Sequence, residues 1–410
     1  MSSASIVSIG NELLSGHTTD TNTAYICQQL LSIGIPVVGV HTVGDDINQI
    51  VRALKRAADD ADIVIATGGL GPTDDDLTRQ AVSEFSGRAL KLDEGLLADI
   101  ERFFASRDKQ MPPRNTIQAH IPAGAQALRN ELGTAPGITL VDGHKMLFAL
   151  PGVPAEMKRM FEQSVLPRLE QLEGRACVAV CVLKCFGMGE SDIAQSLGER
   201  MQRGRNPLVN TTVHDGVITL HILAEADNQE QAEAIARNEQ QNIAQILGEV
   251  VFAWEDIDLA QVVGRKLTSA GKTVAVAESC TGGLVGKLLT DVPGSSKYFL
   301  CGWVAYSNEA KIRELGIAAR IITEKGSVSE EAAAALAQAA RRKAGADYGI
   351  GITGIAGPGG STADKSVGLV YISVASSRQT CTRSFLFGGD RDSIRKRAAN
   401  TALDLLRRNM

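Results

Sequence analysis

From residue 4 onwards the chain alternates short apolar runs with segments of helical periodicity, and this alternation limits the possible folds more than any other feature. The apolar runs SIVSIG, PVVGVHTV and DIVIATGG are separated by DTNTAYICQQLLSIG and INQIVRALKRAADDA. The last of these segments carries one apolar stripe at helical spacing, formed by Ile47, Ile50, Val51, Leu54 and Ala58. Strands that are apolar along their whole length are typical of parallel sheets covered on both faces. The pattern predicts a doubly wound α/β domain.

The 410 residues divide into three predicted domains. The α/β domain takes residues 1–172, and a small α+β middle domain takes residues 173–252, where the run VAVCVLKCF precedes a helix, a strand pair and a second helix. A further α/β domain over residues 253–410 opens with a helix that ends at Gly271, and Ser329 is placed to cap a later helix. The middle domain contains GMGES, which is similar to the loop of KH-type modules but lacks GXXG spacing and flanking basic residues. We expect this KH-like domain to be a spacer or a dimerisation module.

Charge and composition exclude several classes of protein. The net charge is -5 and aromatic residues make up 4% of the chain, so nucleic acid is not an expected partner. An odd number of cysteines, seven, does not predict a disulfide framework and fits a reducing compartment. No apolar stretch approaches the roughly 18 residues of a membrane span, and the N-terminus lacks the pattern of a signal peptide. We therefore expect a cytoplasmic protein without a membrane partner.

In the third domain, the motif AESCTGG at 277–283 runs from an apolar strand into a glycine-rich helix start. Ligands of open α/β folds bind at such strand ends. The N–H groups of Thr281, Gly282 and Gly283 are expected to face the site unpaired and to suit an oxyanion or a phosphate. The alternative is a tight turn that needs glycines only for its backbone.

Two further strand ends in this domain carry polar residues. Tyr306 and Lys311 lie in AYSNEAK, and Thr353 lies in the glycine-rich segment GITGIAGPGG. No histidine follows residue 221, so a Ser-His-Asp triad within this domain is impossible. If Ser279 is a nucleophile, its base is best sought in a lysine whose pKa is lowered by burial, with Tyr306 relaying the proton or holding the amine. Cys280 is the rival nucleophile.

Residues 254–410 resemble the C-terminal domain of the competence/damage-inducible CinA family, the nicotinamide-nucleotide (NMN) amidases, through ESCTGG, YSNEAK, TGIAGP and GDRD in that order. The resemblance implies hydrolysis of NMN to nicotinic acid mononucleotide and ammonia without a cofactor. It also implies that Ser279 attacks the carboxamide, Lys311 with Tyr306 handles the proton, Thr353 orients the reacting group and Arg391, or Arg395, binds substrate. The implied substrate-binding backbone comprises Thr281, Gly282, Gly283, Gly354 and Gly357. This chain departs from the family pattern at GPGG and at SV (366–367), both in the substrate loop.

In the first domain, TGGLGPTDDDLT at 67–78 follows an apolar strand and precedes a helix. Gly68, Gly69 and Gly71 allow a tight turn that approaches a phosphate, and three aspartates follow at 74–76. The aspartates either complement the helix dipole or bind a hard cation such as Mg²⁺ beside the phosphate. Glu12, Asp20, Asn22 and Asp46 follow two other predicted strands and are expected at the same edge.

Residues 1–172 resemble the MoaB/MogA-like, molybdopterin-binding-like domain of CinA proteins through IGNELLSG, DTN, TGGLGPTDDD, GTAPG and PGVPAEM. Asp75 and Asp76 stand where molybdopterin-binding relatives commonly have an Arg-Asp pair, which argues against molybdopterin. The resemblance implies a metal-dependent ADP-ribose pyrophosphatase that releases AMP and ribose 5-phosphate. The implied ligands of the divalent cation are Asp76, Asp75, Asp20, Asp46 and Glu12. The implied substrate-binding residues are Gly68, Gly69, Gly71, Thr73 and Asn22.

The favoured hypothesis is a homodimeric enzyme of pyridine-nucleotide recycling with these two activities. The alternative is a regulatory protein of competence and DNA damage whose sites only sense nucleotides. In that case the basic C-terminal segment is a candidate DNA contact, but Ile394, Ala398, Leu403 and Leu406 predict an ordinary amphipathic helix with one buried side.

Overall fold

The computed structural model describes residues 2–172 and 177–410. The chain forms two compact units, one of Met1–Ala179 with Ala224–Ala234 and one of Val180–Leu223 with Ile235–Met410. Most of the middle region therefore belongs to the same unit as the C-terminal region. The predicted start of the middle domain, at residue 173, lies outside the described residues.

The N-terminal region contains a mixed sheet with helices on both faces. The strands of this region are β1 (Ala4–Ile9), β2 (Val37–Val43), β3 (Ile63–Thr67), β4 (Leu90–Leu92), β5 (His120–Pro122), β6 (Gln126–Leu128), β7 (Gly137–Asp142) and β8 (Lys145–Leu150). Strands β4 and β5 pair with each other in a separate two-stranded sheet. Its helices are α1 (Asn11–Leu14), α2 (Thr21–Ser32), α3 (Ile47–Asp60), α4 (Thr78–Ser86), α5 (Glu94–Ala105), α6 (Pro154–Met160) and α7 (Leu166–Glu170), the last two joined by a π-helical turn at Phe161–Val165.

The main sheet of this region has the order β2-β1-β3-β8-β7-β6. Strands β2, β1, β3 and β8 are parallel, as the apolar runs predict, and separate apolar cores lie on the two faces. The sheet is not parallel throughout, because β7 runs antiparallel to both of its neighbours, β8 and β6. Gly143 and His144 join β7 directly to β8, and so short a connection permits only an antiparallel pair.

The middle region is a small α+β sandwich. Its strands are β9 (Cys177–Phe186), β10 (Leu208–His214), β11 (Val217–Ala226) and β12 (Val251–Ala253), in the sheet order β10-β11-β9-β12. Its helices are α8 (Glu190–Leu197) and α9 (Gln229–Leu247). Leu183, Leu220 and Ile222 from the sheet pack against Ile193 of α8 and Ile243 of α9 in one apolar cluster.

The C-terminal region is an α/β/α sandwich. Its strands are β13 (Val274–Glu278), β14 (Phe299–Val304), β15 (Tyr348–Gly354), β16 (Leu369–Ala375) and β17 (Thr380–Leu386). Its helices are α10 (Leu259–Ala270), α11 (Leu284–Thr290), α12 (Asn308–Leu315), α13 (Ala319–Lys325), α14 (Glu330–Ala344) and α15 (Arg391–Arg408). The sheet order is β14-β13-β15-β16-β17. Strands β14, β13 and β15 are parallel, and β16 runs antiparallel to both β15 and β17.

Helix α14 packs closely on one face of this sheet because β15 carries glycines beneath it. A Cβ atom on Gly349 would lie 2.1 Å from the Ala337 carbonyl, and one on Gly351 would lie 2.3 Å from the Ala333 carbonyl. The predicted helix ends are confirmed, since Gly271 ends α10 in the left-handed conformation and the Ser329 hydroxyl caps α14. Among the described residues, no helix is both long enough and apolar enough to cross a membrane.

Candidate active site

Three parallel strands of the C-terminal sheet bring the predicted catalytic residues to one edge. Ser279 directly follows β13, Tyr306 lies just beyond β14, and Thr353 lies at the end of β15. Strand β13 pairs with both β14 and β15, so the carboxyl ends of all three strands lie side by side. This is the edge at which open α/β folds place their ligands.

Ser279 and Lys311 are in direct contact at this edge. The Lys311 Nζ atom lies 3.1 Å from Ser279 Oγ, and it also donates to the Tyr306 carbonyl at 3.0 Å. The Ser307 hydroxyl accepts from the Ala310 N–H and starts α12, which places Lys311 one turn later, over the strand end. Lys311 is 2% exposed and Ser279 is 8% exposed. The pair is therefore nearly sealed from water.

Burial favours Ser279 over Cys280 as the nucleophile, because it changes the pKa values of Lys311 and Cys280. It lowers the pKa of the Lys311 amine below its ordinary value, because removal from water disfavours the charged form. Burial also raises the pKa of the neighbouring Cys280 thiol to about 12, so very little thiolate exists near neutral pH. The same environment thus favours a neutral amine beside Ser279 and an inert thiol at Cys280.

The glycine-rich turn after Ser279 is held from behind by Glu278, which the sequence analysis missed. This buried carboxylate accepts from the N–H groups of Gly283 at 3.0 Å, Val285 at 3.1 Å and Gly286 at 2.8 Å. The Gly282 N–H donates to the Ser279 carbonyl at 3.1 Å. The prediction that Gly282 and Gly283 present free N–H groups is therefore wrong, since both are used to close the turn. An acidic residue in the last strand position before such a turn is a signal that could have identified Glu278.

Tyr306 takes part in the site through its backbone rather than through its phenol. The Tyr306 side chain is 57% exposed, and its hydroxyl accepts from Arg391 Nη2 at 2.9 Å. The Lys311 amine instead contacts the Tyr306 carbonyl. A proton relay from Ser279 through the phenol is not the arrangement in this structure.

Both candidate arginines border the site. Arg391 Nη1 donates to the Gly357 carbonyl at 2.6 Å, and Arg395 Nη2 donates to the Thr281 carbonyl at 2.8 Å. They follow each other by one helical turn at the start of α15, so both bind loops that border Ser279. The structure thus brings both predicted arginines to the border of the site.

Thr353 is buried beneath the strand end and does not line the open edge of the site. It is 1% exposed, and its hydroxyl donates to the Ser327 carbonyl at 2.6 Å, which fastens the end of β15 to the segment before α14. Beyond it, Gly354 lies so close to β16 that a Cβ atom would be 2.7 Å from the Leu369 carbonyl. The predicted role of Thr353 in orienting the reacting group stays a prediction.

In the N-terminal region, the turn at 67–71 follows the central strand β3. A Cβ atom on Gly68, whose φ is +108°, would lie 2.1 Å from the Ile9 carbonyl, so only glycine fits there. Arg79, which the sequence analysis missed, donates to the Leu70 and Gly71 carbonyls at 2.6 Å each. Burial lowers the pKa of Arg79 to about 10, and the charge of Asp76 opposes this shift. A buried guanidinium thus fixes the turn from below.

The aspartates after this turn bond to their own loop. Asp76 accepts from the N–H groups of Gly71 and Thr73 at 2.8 Å each, and from the Thr73 hydroxyl at 2.5 Å. The Thr73 hydroxyl also contacts Asp75, and this contact lowers the pKa of the Asp75 carboxyl. Asp74 is exposed and pairs with Arg114 at 3.3 Å. The carboxylates of Asp75 and Asp76 therefore close the loop.

The other predicted metal ligands are also used locally. Asp20 caps α2 and accepts from Ser8 and Thr23; burial raises its pKa, but these hydrogen bonds outweigh burial and leave the pKa lowered. Asp46 caps α3 through the Gln49 N–H, and Glu12 folds back against Gly10. In the part of the chain that the structure describes, no three His, Cys, Asp or Glu side chains form a group able to hold a metal ion. These residues do not fit a preassembled metal site.

Asn22 is the predicted N-terminal residue whose environment points most clearly to a ligand. Its side chain is 8% exposed and donates to Thr67 Oγ1 at 3.1 Å and to the Gly152 carbonyl at 2.8 Å. Within the described residues, its Oδ1 atom has no hydrogen-bond partner. A buried acceptor without a donor is costly, so a ligand N–H or O–H would stabilise it.

Three family models match successive parts of the chain. Residues 5–171 match the probable molybdopterin binding domain, residues 181–253 match the KH domain of damage-inducible protein CinA, and residues 256–410 match the CinA C-terminal domain. The MoaB/MogA-like, KH-like and CinA C-terminal folds expected from sequence are thereby confirmed.

Similar proteins extend the match over the whole chain. A CinA-like protein of Kosmotoga olearia is 41% identical over 406 residues, covering 99% of this chain and 98% of the relative. A CinA-like protein of Geobacter sulfurreducens is 43% identical over 406 residues, covering 98% of each chain. A crystal structure of CinA from Thermoplasma acidophilum is 34% identical, covers 41% of this chain and 98% of its own, and has a TM-score of 0.39. The full-length relatives, together with the three ordered domain matches, show that the chain belongs to the CinA family.

Proposed function

We propose that the chain is a nicotinamide-nucleotide amidase, which hydrolyses NMN to nicotinic acid mononucleotide and ammonia. The observation that carries the proposal is the buried contact of 3.1 Å between Lys311 Nζ and Ser279 Oγ. A serine beside an amine of lowered pKa is suited to acyl transfer without histidine. The choice of substrate rests on the family resemblance of the four motifs around this pair.

In the first step, Ser279 becomes the nucleophile. A neutral Lys311 amine donates one N–H to the Tyr306 carbonyl and turns its lone pair to the Ser279 hydroxyl. The lysine takes the hydroxyl proton as Ser279 Oγ bonds to the carboxamide carbon, and the carbonyl electron pair moves to its oxygen. The carbonyl of Tyr306 thus acts as the positioning group for the base.

In the second step, the tetrahedral intermediate collapses and the C–N bond breaks. The Lys311 ammonium returns its proton to the leaving nitrogen, which departs as ammonia. Water then attacks the ester on Ser279 while Lys311 takes a proton from that water. The ester C–O bond breaks as Lys311 returns this proton to Ser279 Oγ, and nicotinic acid mononucleotide leaves. One amine thus serves in all four proton transfers of the cycle.

The remaining residues hold this pair in place. Glu278 fixes the turn that carries Ser279, and Arg391 links the Gly357 loop to the Tyr306 phenol. A substrate phosphate near Arg391 would find a guanidinium already at the rim of the site. We assign it, with Arg395, to the anionic part of NMN.

The test is ammonia release from NMN by the purified full-length chain in buffer containing EDTA. We expect steady release in the wild type and in Cys280→Ala, and none in Ser279→Ala. A wild-type chain that binds NMN but releases no ammonia would contradict the amidase and favour the sensing role.

For the N-terminal region we propose a nucleotide diphosphate as ligand, with ADP-ribose as the substrate that the resemblance suggests. The supporting observation is the unpaired, buried Asn22 Oδ1 beside Thr67, next to the glycine-rich turn. The acidic residues do not fit a preassembled metal site, so no step is assigned to a metal here. AMP formation from ADP-ribose, measured with and without EDTA, tests both the activity and its need for a divalent cation.

A further inference from the structure

A large cleft lies between the middle region and the C-terminal sheet, away from Ser279. Its volume is about 730 Å³, within the range of roughly 300–1,000 Å³ typical of small-molecule sites. Phe186 and Ile218 line it from the middle region. Phe385 of β17, Phe387 just beyond that strand and Leu405 of α15 line it from the C-terminal region. All of these residues belong to one compact unit. The predicted functions do not use this cleft.

The two sides of the cleft are tied together by polar contacts. Asn400 Nδ2 donates to the Asp215 carbonyl at 3.2 Å, and Lys396 Nζ lies 3.7 Å from the Asp215 carboxylate. At the other end, Arg408 Nη2 reaches the Phe186 carbonyl at 3.5 Å. These contacts join α15 to β9 and to the turn between β10 and β11. These contacts hold the two walls of the cleft in a fixed position relative to each other.

One wall of the cleft is aromatic. The rings of Phe385 and Phe387 stack with centroids 5.6 Å apart and planes 9° apart. Both rings line the cleft, and such a stack presents a flat apolar face. A planar ligand ring can pack against that face in an offset arrangement.

The cleft also contains cationic groups that the protein does not neutralise. Among the described residues, Arg383 has no side-chain hydrogen bond or ion pair, and Arg397 has only a long contact of 3.4 Å to the Gly388 carbonyl. By contrast, the Asp404 carboxylate in the cleft is already paired with Arg407 and Arg408. Glu190 is the remaining acid of the lining. Two available guanidinium groups beside an aromatic face favour a ligand that is both planar and anionic.

We propose that this cleft is a second ligand site, which binds an aromatic mononucleotide. The ring packs on Phe385 and Phe387, and the phosphate pairs with Arg383 and Arg397. The site is separate from the Ser279–Lys311 pair, so its occupancy does not depend on the amidase being active. The inference rests on three properties that occur together in this cleft: its volume, its aromatic face and its two arginines without an acidic partner.

The experiment measures binding of AMP to the full-length chain by calorimetry. We expect a double variant, Arg383→Gln with Arg397→Gln, to weaken AMP at the cleft by about tenfold or more, since charge-assisted contacts to phosphate are lost. Both side chains are exposed at the cleft, so the fold should be unaffected. Arg378→Gln, in the exposed turn between β16 and β17, is the matched control and should bind AMP as the wild type does.

Two further probes separate the ring from the phosphate. Adenosine and inorganic phosphate should each bind more weakly than AMP, and Phe387→Leu should weaken AMP but leave the circular dichroism spectrum unchanged. The N-terminal region and the Ser279 site are other places where AMP could bind. AMP affinity that is unchanged in the double arginine variant would place all binding outside the cleft and overturn the proposal. Inorganic phosphate that binds as tightly as AMP would overturn the aromatic part.

Discussion

Two glycine-rich turns occupy equivalent places in the two α/β regions, yet they use their polar side chains in opposite ways. The turn at 67–71 follows β3, and the turn at 279–283 follows β13; both strands are central and parallel to their neighbours. After β3, Asp75 and Asp76 bond to atoms of their own loop. After β13, Glu278 closes the turn from behind, and Ser279 and Lys311 face each other at the strand end.

A sequence motif therefore locates a strand end, but it does not show which polar atoms there are left without a partner inside the protein. Hydrogen bonds within a loop satisfy side chains that the sequence offers as ligands, as with Asp76. In the C-terminal turn, one buried carboxylate satisfies three backbone N–H groups and leaves the hydroxyl to the lysine. The availability of polar atoms, more than their presence, distinguishes the two sites.

The largest expected effect concerns the Ser279–Lys311 pair. Ser279→Ala and Lys311→Met should each lower the rate of ammonia release from NMN by about 10³-fold or more, because nucleophile and base act as one unit. Lys287→Met, at an exposed lysine paired with Asp291, is the matched control and should retain the wild-type rate. A Lys311→Met variant with near-normal turnover would show that the contact is only structural.

The second effect separates the two regions through the loop that carries Asp76. Asp76→Ala should lower AMP formation from ADP-ribose by about tenfold or more, because the glycine-rich loop loses both N–H contacts of its carboxylate, and should leave ammonia release unchanged. An Asp76→Ala variant that forms AMP at the wild-type rate would show that this loop does not depend on the carboxylate.

The third effect is the pH dependence of the amidase. Because burial holds the pKa of Lys311 below 10.5, the neutral base accumulates as the pH rises toward that lowered pKa. The rate of ammonia release should rise by up to about tenfold per pH unit and level off below pH 10.5. In Lys311→Arg, whose side chain stays charged, no such rise should occur. A wild-type rate that falls over this range would contradict a neutral lysine base.

The smallest effect concerns Glu278. In Glu278→Gln, one amide oxygen must replace a carboxylate that accepts three N–H bonds, so we expect a loss of about 1–3 kcal/mol in the free energy of unfolding. Ammonia release should fall by about tenfold or less, since Ser279 and Lys311 remain. Denaturant titration measures the first effect, and Glu324→Gln, at an exposed residue of α13, serves as control. Unchanged stability would show that the turn holds without this carboxylate.

Features set by local periodicity and by strand ends were predictable from the sequence. The buried sides of α3 and α15, the ends of α10 and α14, and the edge shared by Ser279, Tyr306 and Thr353 follow from such local patterns. Hydrogen-bond directions were not predictable, because they depend on residues far apart in the chain. The Tyr306 phenol turns to Arg391, 85 residues later, and a relay through it could be excluded only in three dimensions.

The most direct test of the serine–lysine mechanism is to look for the acyl-enzyme. Cys280→Ala protein is mixed with NMN, quenched in acid during turnover and analysed by peptide mass spectrometry. We predict an added mass equal to NMN less ammonia on the peptide that contains Ser279, and no such adduct in the Ser279→Ala variant. Ammonia release that continues undiminished in Ser279→Ala, with no adduct at position 279, would contradict the mechanism.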